Sequence, residues 1–127
     1  KSIIRKIEGG VNMAKPHLEF ITVNMDEGWA SPPGYPPGIQ QKILAIDLDE
    51  QGKTGGRSRL LRFAPGAFST VPFVHDYWEE VYVMSGDLIV DGRPCPPHTY
   101  ACRPPHTPHG PFRSNTGCLL FELHYYA

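Results

Sequence analysis

Apolar residues come in short runs that stop at glycine or proline, and nowhere do they keep a helical spacing through four turns. Ile3, Ile4 and Ile7 form the first β-type run, and Leu18 to Val23 the second. A loop from Ser31 to Gly38 follows, with four prolines and two glycines. Proline fixes φ and lacks an N–H, so this loop is irregular, and it is long enough to be a lid or a packing arm. Ile43 to Leu48 resumes the pattern, and the polar, glycine-rich stretch Asp49 to Gly56 turns the chain toward Leu60–Phe63. Val81–Met84 ends at Ser85-Gly86 and Leu88–Val90 at Asp91-Gly92, a pair that reads as a hairpin. Thr99–Cys102 and Cys118–Tyr125 are the last two runs. In the latter, apolarity assigns Leu119, Phe121, Leu123 and Tyr125 to the core, and Cys118, Leu120, Glu122 and His124 to an interface face. Many short strands in 127 residues predict one all-β domain spanning 1–127, a sandwich or jelly roll.

Composition supports that class. Gly 13 and Pro 14 are too many for a helical bundle, whereas 40% hydrophobic and 20% charged residues are ordinary for a globular chain. A net charge of −1 without a Lys/Arg cluster argues against nucleic acid, and no apolar run is long enough to span a membrane. Cys95, Cys102 and Cys118 are an odd number without paired metal spacing and read as reduced thiols of a cytoplasmic protein. The chain opens on Lys1, Met13 is an alternative start, and residues 1–17 read as an N-terminal arm, part of it a candidate leader or vector remnant.

The chemistry concentrates in two segments. From Phe73 to Val83, a period of two places Phe73, His75, Tyr77, Glu79, Val81 and Val83 on one face and turns Glu80 and Trp78 away. An imidazole and a carboxyl group on an inward face need a partner. A divalent metal satisfies both; a hydrogen-bonded His–Glu pair in a core is the alternative from this segment alone. The second segment, Pro104 to Phe112, carries His106 and His109 in a proline-restricted turn. One of these with His75 and Glu79 makes a two-His, one-carboxylate set with open positions, suited to one divalent ion of iron, manganese or zinc.

These segments resemble the paired motifs of the cupin superfamily, small jelly-roll barrels. Glu79, six residues and Gly86 match the first motif, and His75 falls at its second histidine. Pro104 and His109 match the second motif, with His106 where glycine usually stands. Gly117 to Glu122 resembles the end of cupins related to the metal-binding domain of anti-sigma factors. The resemblance covers roughly Leu60 to Tyr125 and implies a cupin-like jelly-roll β-barrel. Phe73 occupies the first histidine position, so the implied ligand set is His75, Glu79 and His109, with His106 a further candidate. His98 also stands at a usual glycine position and reads as exposed. Tyr77 and Arg103 are the candidate catalytic residues, orienting a small-molecule substrate; packing for Tyr77 and solvation for Arg103 are the plain alternatives.

The resemblance leaves three functions in view. The first is a metal-dependent dioxygenase or lyase acting on a small oxygenated organic molecule. The second is a non-catalytic metal- or ligand-sensing module, although no sigma-binding segment is visible in the chain. The third is a metal-free sugar isomerase or epimerase using His75 and Tyr77, which leaves Glu79 without a role. The resemblance also implies a homodimer, and Ile3, Ile4 and Ile7 are an apolar segment that needs a surface to cover.

Overall fold

In the computed structural model, which describes residues 14–127, six strands carry the chain. They are β1 (Ile39–Ile46), β2 (Gly56–Phe63), β3 (Trp78–Val90), β4 (Arg93–Cys95), β5 (Tyr100–Arg103) and β6 (Phe112–Tyr125). Every pairing is antiparallel, in the order β1-β2-β6-β3-β4, with β5 on β3. The all-β jelly-roll class expected from the run pattern is the observed one. No described helix is long and apolar enough to cross a membrane.

The two long strands make the barrel. β3 pairs with β6 from Trp78↔Tyr125 to Val90↔Phe112, with irregularities between Val83 and Ser85 and between Gly86 and Leu88. An inserted residue bends a strand and sharpens its twist. The first half of β3 thus pairs with β5, and the second half turns to pair with β4. Gly86 sits in this bend at φ +86°, where a Cβ would lie 2.0 Å from the carbonyl oxygen of Gly117. The expected hairpin through Ser85-Gly86 is therefore a bent continuous strand, and the chain reverses one step later, at Asp91-Gly92. β6, at 14 residues, is long enough to pair with both halves, so the glycine accommodates a bulge instead of a turn.

Two further expectations change. Leu18 to Val23 forms no strand, and Phe20 and Ile21 are exposed. Strand propensity needs a partner edge to be realised, and no described strand offers one to this segment. The run at Ile3–Ile7 lies outside the described residues.

The second change is in β6. Cys118, Leu120, Glu122 and His124 are the buried residues, at 5%, 2%, 4% and 1% exposure, while Leu119, Phe121, Leu123 and Tyr125 are only half-buried. The interior is Ile39, Leu61, Phe63, Ala67, Val83, Leu88, Cys118 and Leu120, continued by charged residues on the same strand faces. Apolarity chose the wrong face because Glu122 is ion-paired and His124 hydrogen-bonded by partners on neighbouring strands.

Candidate functional site

The segment before β3 is zipped to the turn before β6. Phe73 and His109 exchange N–H···O bonds of 2.7 Å, and the His106 N–H donates to the His75 carbonyl at 2.7 Å. This pairing sets His109 beside the inward face that Phe73, His75, Tyr77 and Glu79 share. His75, Glu79 and His109 offer ligand atoms that all lie within 4.8 Å of one another. His109 Nε2 is 3.3 Å from Glu79 Oε1, and both residues are buried. Burial lowers the His75 imidazole to about 4, against the opposing pull of Glu79, and lowers that of His109 as well. Both rings are therefore neutral near pH 7, the form that ligates a metal. The Nδ1 of His109 is buried with no hydrogen-bond partner among the described residues, so no second-shell bond fixes its tautomer. Two neutral imidazoles and one carboxyl group fit a first-row divalent ion.

A second buried group, Glu79, Glu122 and His124, also has ligand atoms within 4.8 Å, but its atoms are already engaged. Arg57 approaches His124 Nδ1 with Nε at 3.0 Å and Nη2 at 2.7 Å. A guanidinium only donates, so Nδ1 accepts and the ring proton lies on Nε2. That Nε2–H donates to Glu79 Oε2 at 2.6 Å. Arg59 holds Glu122 Oε1 with Nε at 2.8 Å and Nη2 at 2.7 Å, and also donates to Gln41 and Tyr35. Burial pushes the Glu122 carboxyl up, but the Arg59 charge and hydrogen bond, with nearby His124, outweigh it and hold the group at about 2. These residues orient the first group from behind.

The sequence alone does not single out Arg57 or Arg59, and it reads Glu122 and His124, ligand-like at a spacing of two, as part of an interface face. A signal existed: Arg57 and Arg59 are spaced by two and share a strand face with Leu61 and Phe63, as Glu122 and His124 do with Cys118 and Leu120. Two polar pairs of complementary character at strand spacing mark facing strands.

The remaining candidates divide. Tyr77 is buried, stacks on His75 at 4.7 Å and 8°, and accepts a bond from Arg57 Nη2 at 3.1 Å. Arg103 lines an open pocket of about 550 Å³ between β3, β4 and β5, which also reaches Glu79. His106 is exposed and joins neither ligand group; its φ of +66° is the glycine-like backbone of the turn, and its contribution is the N–H to His75. His98 is likewise exposed at φ +74°. Glu80 faces outward and accepts from Tyr100 and Tyr125. Phe73 stacks between Tyr35 of the proline-rich loop, at 4.5 Å, and Phe112, at 6.0 Å. That loop is a packing arm over the His75 side of the barrel.

The family model described as the ChrR cupin-like domain matches residues 20–126. Among solved structures, an acetylacetone dioxygenase from Acinetobacter johnsonii superposes with a TM-score of 0.65 at 13% identity, covering 86% of this chain and 74% of that one. KdgF from a Halomonas species gives 0.63 at 26% identity, covering 83% and 93%. A chain from the complex of Rhodobacter sphaeroides SigE with the anti-sigma ChrR gives 0.60 at 18% identity, covering 79% of this chain and 50% of that one. No curated protein matches the sequence.

Proposed function

This chain belongs to the ChrR cupin-like family, and from that membership and its interior donor set we propose a metal-dependent enzyme for a small oxygenated organic molecule, of dioxygenase or lyase type. The observation that carries the reading is the placement of Glu79. It belongs to the His75–Glu79–His109 group and also forms part of the wall of the 550 Å³ cavity, so a ligand atom and a substrate space meet at one side chain. His75, Glu79 and His109 would hold the ion; a bound divalent metal supplies Lewis-acid polarisation of a substrate oxygen, and iron adds oxygen activation.

The chain's own residues do the rest. The His124 Nε2–H fixes one Glu79 oxygen and leaves the other turned toward His109. Tyr77 backs the His75 ring by stacking, and Arg103 at the cavity wall orients substrate. The Tyr77 hydroxyl is taken by Arg57 and is not part of the cavity wall, which does not favour an acid–base pair with His75.

A sensing module is the second reading, favoured by the similarity to a chain of the SigE–ChrR complex. Metal analysis of untagged protein is expected to find about one first-row divalent ion per chain. His109→Ala should empty the site and His106→Ala should leave it filled. Turnover restored by iron(II) and abolished by chelation supports the enzyme; metal bound without turnover on any tested oxygenated substrate supports the sensor. If the wild type takes up no iron, manganese or zinc, both metal readings fall.

A further inference from the structure

We propose that the open pocket between β3, β4 and β5 binds a small organic carboxylate, its apolar body against β3 and β5 and its carboxylate on Arg103. This names the substrate class within the reading above; it rests on the barrel interior being the binding site, not on a metal being bound.

The walls define the body of the ligand. Val81, Val83, Leu88, Val90, Ala101 and Phe112 line the cavity of about 550 Å³, a volume typical of small-molecule sites. Arg103 defines its head. It is directly opposite Glu79 in the β3–β5 register, where cross-strand side chains are close neighbours. The expected ion pair is nevertheless not made. Glu79 accepts from His124 at one oxygen and turns the other toward His109 Nε2 at 3.3 Å, and Arg103 turns Nη1 onto the Pro108 carbonyl at 3.0 Å. Arg103 therefore stands beside the candidate metal group with no carboxylate partner among the described residues. Anchoring Nη1 restricts the guanidinium and leaves Nε and Nη2, the pair that grips a carboxylate two-pronged.

The charge balance of the interior agrees. Arg57, Arg59 and Arg103 face Glu79 and Glu122, which leaves one positive charge in excess, while Asp91 and Arg93 at the cavity wall cancel. A monoanion neutralises these side chains in the metal-free barrel. A neutral isostere leaves Arg103 without its partner, and a compact inorganic anion leaves the apolar walls unused.

Titration calorimetry on chelator-treated protein, with hexanoate and benzoate against hexanamide, benzamide and inorganic phosphate, tests this. The acids are expected to bind at least tenfold tighter than their amides, and phosphate more weakly than either acid. Arg103→Gln should erase the preference for acid over amide, Arg103→Lys should retain part of it, and Ala101→Phe should block acid and amide alike. Equal affinity of wild type for acid and amide overturns the proposal, and this comparison needs no variant to fold. Phosphate binding as tightly as the acids, no measurable binding of either acid at millimolar concentration, or an unchanged preference in Arg103→Gln also overturns it. Metal uptake by the same wild-type protein after incubation with iron, manganese or zinc separates the two readings. Acid preference in a protein that takes up no metal keeps this proposal and removes the enzyme, whereas metal uptake without acid preference does the reverse.

Discussion

His124 reaches Glu79 only because Arg57 holds its other nitrogen, so the orientation of a β3 carboxyl group depends on a side chain of β2, relayed through β6. Removing such an outer partner of a metal ligand commonly lowers affinity about 10–100-fold while the ligands stay in place. His124→Ala and Arg57→Leu are therefore expected to weaken metal binding by about that factor, read by competition with a chromophoric chelator, without abolishing it. A loss as complete as in His109→Ala would make His124 itself a ligand. Phe73→His tests the same wall from the other side. The Phe73–His109 backbone pair puts a new imidazole beside the donor group, so affinity should rise. Tm should fall at the same time, because the stack on Tyr35 and Phe112 is lost.

At the scale of elements, the bend of β3 against β6 decides whether the barrel closes. Gly86→Ala would push a methyl group into the backbone at Gly117 and Cys118, and neither can move without breaking the ladder. A loss of at least about 2 kcal/mol in urea unfolding is expected. Beside it, Asp87 accepts from Ser114 Oγ at 2.5 Å and from the backbone N–H groups of Asn115 and Thr116, pinning the β6 bulge to the bend. The Ser114 hydroxyl, followed by those N–H groups, lowers its carboxyl from an ordinary 3.8 to about 2. The folded value lies below the unfolded one, so the stabilisation is complete above pH 3.8 and is lost as pH falls through about 2. Asp87→Asn should flatten the decline of Tm across that interval and lower Tm by several degrees at neutral pH. A slope unchanged from wild type would show that Asp87 does not carry the acid sensitivity.

For the whole molecule, a metal held only by the folded barrel stabilises it by mass action. At a free ion concentration 100 times the dissociation constant, the gain is about 2.7 kcal/mol, visible as a concentration-dependent rise in Tm that His109→Ala should lack. Tyr82, Met84 and Tyr100 are exposed at 39%, 44% and 55%, apolar area that the homodimer implied by the cupin resemblance would cover. Light scattering at micromolar concentration should return twice the chain mass of 14.2 kDa. A single-chain mass would remove the dimer.

Local chemistry alone determined a good part of this protein. Glycine and proline spacing excluded helices, period two placed His75 and Glu79 on one face, and the proline-restricted turn presented His109. These are properties of a residue and its near neighbours. The positive φ of His106 and His98, at positions where glycine is usual, belongs to the same category. Tertiary pairing decided the rest. Ser85-Gly86 is a bulge because β6 extends past it, and Leu18–Val23 is not a strand because no described strand pairs with it. The face of β6 was inverted for the deepest reason. Burial of Glu122 and His124 is affordable only with Arg59, Arg57 and Glu79 opposite them, on strands up to 67 residues away in sequence. The hydropathy of one strand cannot register a charge that another strand neutralises.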